Sequence, residues 1–412
     1  MATPLDSSVT QGLVAERKRR GVGGSQAATE VPVLSLRRYF EGTADGKAAV
    51  AREWDEACRK VGFVTVVDHG VPRDVIDACW EETTSFFDRP LAEKAAVPTS
   101  SDYPYGYIGM GMENLQASLD ETSRNPGDIK EMFNICFGTA EPDPDKPAPR
   151  WPAQSVGMRR AWQAYDAALA RLSEALYAVM ALALGLREDW FADKVNRHRN
   201  VIRAINYPEL RTPPLPGQVR ASVHTDYGSL TILRLGGRYA GGLQAMGASG
   251  EWVDVAPRGQ DCFVINLGDL MARWTNDRWL STPHRVVNPP QALAATARRQ
   301  SIAYFCNVNM DARVECIPTC EGGRAKYAPI AAGEWLMRKH AQTVAGQLCY
   351  AVEEGGEGGA ADAPCGEAAR GVAEDDAGCS VSLCPESPQR PLRDGVSPRS
   401  PEGPGSGRFS IK

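Results

Sequence analysis

His224-Thr-Asp-Tyr-Gly-Ser-Leu-Thr-Ile-Leu233, answered further along the chain by Ser281-Thr-Pro-His-Arg-Val286, is the stretch whose reading decides the fold. In an extended segment residues i and i+2 point the same way, so His224 and Asp226 reach one point in space together. His284 must then come from a neighbouring strand. Two imidazoles and one carboxylate form the facial ligand set that suits non-haem Fe(II) and leaves octahedral positions open. His-x-Asp also arises by chance, as a solvated or core pair, so the flanking sequence carries the weight.

Around this stretch the pattern is a series of short β-like runs separated by Gly and Pro: 201–207, 221–224, 229–235, 242–246, 252–255, 262–267, 284–288 and 300–308. Strands this short and frequent predict a sandwich or jelly roll and not a doubly wound sheet. Upstream the pattern is mixed. Val31-Pro-Val-Leu-Ser-Leu36 and Gly62-Phe-Val-Thr-Val-Val67 read as strands, the latter ending in the turn Asp68-His-Gly70. Helical spacing runs from about Lys47 to Lys60 and over 73–89. A long helix from about Met158 to Leu184, ended by Gly185, carries the stripe Trp162, Tyr165, Leu169, Leu172, Leu176, Val179 and Met180, which reads as core. The expected fold class is therefore α+β, a jelly-roll core preceded by a mixed helical region.

Composition bounds the rest. Residues 1–29 and 349–412 are poor in large apolar groups and read as a disordered arm and a disordered low-complexity tail, since such segments bury too little surface to offset their ordering entropy. All nine tryptophans precede the tail. Between them, 30–150 reads as an N-terminal region and 151–348 as the long helix plus the jelly roll. A net charge of −5 makes no electrostatic case for nucleic acid or an acidic membrane surface. No uncharged apolar run is long enough to span a bilayer. The arm's basic run Arg17-Lys-Arg-Arg20 leaves organelle targeting open, although Asp6 and Glu16 count against it. Eleven scattered cysteines with no Cys-x-x-Cys pair read as reduced thiols of a cytoplasmic protein. The expected partner is a small molecule, and the expected assembly a monomer.

The order of segments resembles the isopenicillin N synthase-like branch of the Fe(II)/2-oxoglutarate-dependent dioxygenases, over about Val31 to Gln342. The resemblance runs through Gly62-Phe-Val-Thr-Val-Val-Asp-His-Gly-Val-Pro72, Phe86-Phe-Asp-Arg-Pro90 and Asp128-Ile-Lys-Glu-Met-Phe133. It continues in Asn206-Tyr-Pro208, the His224 segment, Gly242-Leu-Gln244, Trp252-Val-Asp-Val-Ala-Pro257, Val264-Ile-Asn-Leu-Gly-Asp269, Trp274-Thr-Asn276, His284-Arg-Val286 and Arg299-Gln-Ser301. It implies a double-stranded β-helix with His224, Asp226 and His284 on Fe(II), and 2-oxoglutarate and O2 as cosubstrates. Arg299 and Ser301, at i and i+2 of one strand, are similar to the family's Arg-x-Ser pair, in which a guanidinium fork and a hydroxyl hold a carboxylate. Tyr207 is similar to a family tyrosine that donates to the cosubstrate, and Asn206 is a candidate of the same kind.

The implied activity is oxidation of a small organic molecule (hydroxylation, desaturation or cyclisation) with release of succinate and CO2. An oxidase of the isopenicillin N synthase kind, without 2-oxoglutarate, carries the same Arg-x-Ser pair and stays open. So does a non-catalytic binding module, although all three ligands are present. A zinc hydrolase is disfavoured, because no Glu general base sits beside the ligands as in His-Glu-x-x-His. The remaining histidines carry no motif: His69 reads as a turn-capping residue, His198 and His340 as surface. Gln342 resembles a C-terminal glutamine segment only superficially. The stretch 288–298 reads as an enlarged hairpin loop before Arg299. Tyr103 to Leu119 and Phe305 to Asn309 are candidate substrate contacts.

Overall fold

The computed structural model describes residues 10–16, 30–100, 103–119, 126–138, 146–247, 249–259, 261–320, 322 and 324–341. Residues 10–16, inside the stretch read as an arm, are helical. The rest of that arm, the tail and Gln342 lie outside the described residues.

The N-terminal region alternates strand and helix. Strand β1 (Val33–Ser35) pairs in parallel with β2 (Phe63–Val67), joined through helix α1 (Ala44–Lys60). Thr43 caps α1 by accepting from the Gly46 N–H, and the helix buries Val50, Trp54, Ala57 and Cys58 at the spacing of one face. Helix α2 (Arg73–Phe87) follows Pro72 and buries Ile76, Cys79, Phe86 and Phe87. Between them His69 accepts from the Val71 N–H through Nδ1, which makes it the turn cap expected. Strands β3 (Gly106–Ile108) and β4 (Glu131–Cys136) complete this part. The long helix α3 (Val156–Ala183) stops before Gly185, whose φ of 71° favours glycine. Every member of its expected stripe is buried.

Eight strands then trace the jelly roll: β5 (Val201–Tyr207), β6 (Ala221–His224), β7 (Leu230–Gly237), β8 (Leu243–Met246), β9 (Trp252–Asp254), β10 (Phe263–Leu267), β11 (His284–Val286) and β12 (Arg299–Cys306). A short helix α4 (Asp269–Trp274) sits between β10 and β11, and α5 (332–341) follows β12. The larger sheet has the order β1-β2-β10-β7-β12-β5-β4-β3 and the smaller one β6-β11-β8-β9. The N-terminal region thus extends the larger sheet at both edges.

One face of the larger sheet meets α1, α2 and α3; the other meets the smaller sheet. Strands covered on both faces read as near-continuous apolar runs, as β10 and β12 do. Alternation assigns the faces. On β12, Ile302, Tyr304 and Cys306 belong to the helix-side core, whereas on β5 Tyr207 and Ile205 belong to the inter-sheet core. Arg299 is paired with Tyr207 and Ser301 with Ile205, so both face inward.

Two expectations need correction. Residues 288–298 are not a hairpin loop, because β11 lies in the smaller sheet and β12 in the larger; the segment crosses between sheets, with a 3-10 turn at Gln291–Leu293. The second concerns Asn206, which strand alternation turns to the helix side of the sheet, next to Glu131.

Trp162 joins the layers. It is fully buried, its Nε1 donates to Thr83 Oγ1 at 2.9 Å, and its ring lies 6.0 Å from Phe133 and 5.9 Å from Trp151. Trp162→Ala is expected to cost about 3–5 kcal/mol in denaturant unfolding, while Arg160→Ala, on the exposed side of the same turn, should stay within about 0.5 kcal/mol. Equal effects would place the core elsewhere.

Candidate metal centre

The antiparallel pairing of β11 with β6 sets His284 directly opposite His224. Their ring centroids are 4.2 Å apart. Asp226 follows just beyond the end of β6, with Oδ1 3.8 Å from His284 Nε2. One ligand atom from each of the three can be chosen so that all lie within 4.8 Å of one another. Among the described residues this is the one such group of three.

What surrounds the three residues decides which atoms are free. His224 Nδ1 lies 2.8 Å from Ser222 O, and His284 Nδ1 lies 3.0 Å from Thr282 O. A carbonyl oxygen accepts only, so each Nδ1 carries a proton, and Nε2 is the atom of each ring that can offer a lone pair to a metal. Asp226 Oδ2 accepts from Thr231 Oγ1 and Asn266 Nδ2, each at 2.6 Å. Its Oδ1 is left toward the imidazoles. Burial, then the neighbouring His284, pushes the His224 imidazole well down, so it is neutral at physiological pH. Burial raises the Asp226 carboxyl, but the two imidazoles and its two hydrogen bonds outweigh that and hold it below the usual carboxylate range. Two neutral nitrogen donors and one carboxylate oxygen, each fixed by a hydrogen bond on its other atom, fit a divalent Fe(II) ion.

A clamp holds the turn that carries Asp226. Asp269 accepts from Thr225 Oγ1 at 3.2 Å and Ser281 Oγ at 2.6 Å, and pairs with Lys339 Nζ at 2.8 Å. It thereby ties the Asp226 turn, the approach to His284 and α5. The packing there excludes a side chain at Gly268, where a Cβ would come within 2.3 Å of Gly228 O. Helix α5 closes over the same turn: Trp335 Nε1 donates to Tyr227 O at 2.9 Å, and the His340 ring meets Tyr227 edge-on at 5.6 Å. His340 is thus tied to the site's rim, whereas its sequence suggested plain surface. His198 is half-buried.

Two guanidiniums are buried between the sheets. Arg299 is 1% exposed, its guanidinium lies 4.7 Å from the Tyr207 ring centroid, and Nη1 donates to Ser301 Oγ at 3.3 Å. Its Nε has no partner among the described residues. Arg220, 0% exposed, was missed in the sequence. Its Nη2 donates to Pro208 O and Ala297 O, leaving Nε and Nη1 unpartnered. Burial, then the charge of Arg299, pushes Arg220 down to about 10. The only sequence signal was a charge at the entrance of an otherwise apolar strand. Neither guanidinium has a carboxylate partner among the described residues, and an unpaired buried cation is costly. Arg298, one residue away, points outward to Asp88 and Asn206. Asn206, occupied by Arg298 and Glu131 on the far face, does not join the two guanidiniums.

If the three residues hold one ion, Asn266→Ala frees the Asp226 carboxylate to rotate and should weaken Fe(II) binding by about ten- to a hundredfold. Anaerobic titration reads this directly. Unchanged affinity would mean that the hydrogen bond does not position a ligand.

Residues 31–154 match the family described as the N-terminal part of non-haem dioxygenases in morphine synthesis, and residues 195–308 match the 2OG-Fe(II) oxygenase superfamily. Among curated relatives, validamycin A dioxygenase from Streptomyces hygroscopicus subsp. limoneus is 29% identical over 322 residues, covering 76% of this chain and 86% of that protein. Homoarginine-6-hydroxylase 2-ODD-233 from Oryza sativa subsp. japonica is 31% identical, covering 70% and 88%. Among solved structures, a full-length Neurospora crassa protein in complex with alpha-KG superposes with a TM-score of 0.69 at 30% identity, covering 78% of this chain and 99% of that one. The complex of the same protein with alpha-KG and thymine gives 0.66 at 31% identity, covering 76% and 96%. With both parts of the chain matched and these relatives spanned nearly end to end, the chain belongs to the Fe(II)/2-oxoglutarate-dependent dioxygenase family, enzymes that use Fe(II), 2-oxoglutarate and O2 to oxidise small molecules.

Proposed function

We propose that His224 Nε2, Asp226 Oδ1 and His284 Nε2 hold the Fe(II), and that the distal carboxylate of 2-oxoglutarate sits on Arg299, with Ser301, Tyr207 and Arg220 around it. The observation that carries this reading is the contrast between two buried polar groups. Three donor atoms converge at one end, and two buried guanidiniums stand without a carboxylate at the other. With a carboxylate and two neutral imidazoles the bound ion keeps a net charge of about +1, so both ends favour a dianion.

When bound, Fe(II) supplies the oxidation itself, one O2 and one 2-oxoglutarate giving succinate, CO2 and the oxidised substrate. The chain's residues bind, orient and exclude water. Arg299 offers a planar fork that matches a carboxylate, and the Tyr207 ring fixes the plane of that fork. Phe63, edge-on to His284 at 5.4 Å, keeps water from the imidazole's inner side. The segment 332–341 is tied to Tyr227, the residue after Asp226, by the Trp335 Nε1–Tyr227 O hydrogen bond.

The same reading takes the working unit as a monomer, since both sheets that complete the centre come from one chain. A cytoplasmic setting is supported by the described cysteines, all of which are free thiols. The acidic balance favours a small molecule over nucleic acid. No helix among the described residues is long and apolar enough to cross a membrane.

Asp226→Ala is expected to lose Fe(II) and turnover together, read by anaerobic titration and succinate release. Arg299→Leu should retain Fe(II) but weaken 2-oxoglutarate by roughly thirtyfold or more, because a desolvated charged hydrogen bond lost with its partner left unpaired costs about 2–5 kcal/mol. Ser301→Ala should cost on the order of 1 kcal/mol. Arg298→Leu should leave 2-oxoglutarate affinity nearly unchanged, since its side chain faces the opposite side of β12. Substrate oxidation that persisted without 2-oxoglutarate would favour the oxidase reading instead.

A further inference from the structure

The inner face of the larger sheet carries a second polar group that the cosubstrate does not use. Register places Asn134 of β4 opposite Arg203 of β5, and Arg203 opposite Ala303 of β12. From Arg299 to this rung is four residues along β12, about 13 Å at roughly 3.3 Å per residue. A five-carbon diacid anchored on Arg299 is too short to reach it. The group nevertheless borders the strand that carries His224, because Asp128, which pairs with Lys130 and through it with Glu113 and Arg203, accepts from Ser222 N and Oγ two residues before that histidine.

Its charges are arranged unlike those of the cosubstrate end. Arg203 Nη1 pairs with Glu113 Oε1 at 3.3 Å, and Glu113 Oε2 with Lys130 Nζ at 2.8 Å. Lys130 pairs in turn with Asp128 Oδ2 at 2.8 Å, and Asp128 Oδ1 accepts from Ser222 N and Oγ. Two cations face two anions, so the chain is electrically balanced. No charge is left over for an ionic ligand, whereas Arg299 and Arg220 leave two.

Unpaired hydrogen-bonding capacity does remain. Asn134 is 2% exposed; its Oδ1 accepts from Arg203 Nε at 2.9 Å, and its buried Nδ2 has no partner among the described residues. A buried amide N–H left unmade costs about 1–3 kcal/mol, a cost that a ligand oxygen accepting from it would offset. Beside it stands Phe305, half-buried on the same inner face, with its ring centroid 5.5 Å from the Arg203 guanidinium. An aromatic ring and a guanidinium form a flat wall, and Asn134 puts a donor at its edge.

We propose that Asn134, Arg203 and Phe305 form the substrate subsite, and that it takes a neutral, planar ring with carbonyl oxygens on its edge, of the cyclic imide or lactam class. The carbonyl accepts from Asn134 Nδ2, the ring packs on Phe305 and the guanidinium, and Glu113 with Lys130 holds Arg203 in place. This rests on the metal centre and cosubstrate end proposed above.

The test uses Fe(II)-loaded protein with 2-oxoglutarate and three probes: thymine as a planar imide, orotate as a similar ring carrying a carboxylate, and dihydrothymine as a puckered one. Anaerobically, the visible charge-transfer band of the Fe(II)–2-oxoglutarate complex reports probe binding; aerobically, succinate release reports turnover. Thymine should shift the band and stimulate succinate release, and orotate and dihydrothymine should do so at least about tenfold more weakly. Asn134→Leu should raise the KM for thymine by about tenfold or more, the loss expected for one buried donor, while Fe(II) and 2-oxoglutarate affinities stay within about twofold. Phe305→Leu, which leaves every hydrogen bond in place, should raise the same KM and serves if the Asn134 variant unfolds. Wild-type protein that binds Fe(II) and 2-oxoglutarate but prefers orotate, or ignores thymine, overturns the subsite and leaves the metal centre standing. Wild-type protein that binds neither overturns the metal centre, and the subsite falls with it.

Discussion

The centre depends on one antiparallel pairing. Residues 224 and 284 are far apart in sequence, and only the register of β11 against β6 makes them neighbours. A slip of one residue would turn His284 to the other side of its sheet and leave two ligands instead of three. The surrounding structure holds that register from several sides. Met246 N–H donates to Pro283 O, the Thr282 hydroxyl donates to Val61 O, and Asp269 ties the two ligand-bearing segments to α5. The N-terminal region therefore contributes more than a cover. Its strand β2 hydrogen-bonds to β10, and β10 supplies Asn266 to the Asp226 carboxylate.

The polar groups between the sheets differ in charge as well as in position. At the Arg299 end two guanidiniums are buried without counter-charge, an arrangement that is unfavourable in the empty protein and favourable with a dicarboxylate present. At the Arg203 end each cation has an anion, and what remains is one amide donor and an aromatic wall. The same inner face of β12 serves both ends, because alternate residues along one strand point the same way. Arg299 and Ser301 serve one end, and Phe305 the other.

Much of this was legible in the sequence, for identifiable reasons. The helices α1, α2 and α3 bury one face each, so their spacing shows; α3 ends where Gly185 forces it to. The jelly-roll strands are short and punctuated by Gly and Pro. Arg299 could be told from Arg298 because Ser301 lies two residues on; in the structure Arg299 is buried and Arg298 reaches Asp88 on the other side of the strand. The same alternation explains the error at Asn206: adjacency to Tyr207 in sequence puts it on the opposite face. Strand β4 was not read as a strand, since Glu131 and Asn134 interrupt its apolar pattern. Those positions are polar because Glu131 pairs with Lys94 and Asn134 accepts from Arg203. Arg220 carried no motif. Its meaning comes from burial and missing partners, which only three dimensions reveal.

The most direct measurement is a crystal structure of the protein grown anaerobically with Fe(II) and 2-oxoglutarate, with anomalous scattering recorded at the iron edge. The account predicts one iron peak bonded to His224 Nε2, Asp226 Oδ1 and His284 Nε2, with the distal carboxylate of 2-oxoglutarate on Arg299. An iron peak away from these three residues, ligation through either Nδ1, or a cosubstrate carboxylate seated on Arg203 instead of Arg299 would contradict it.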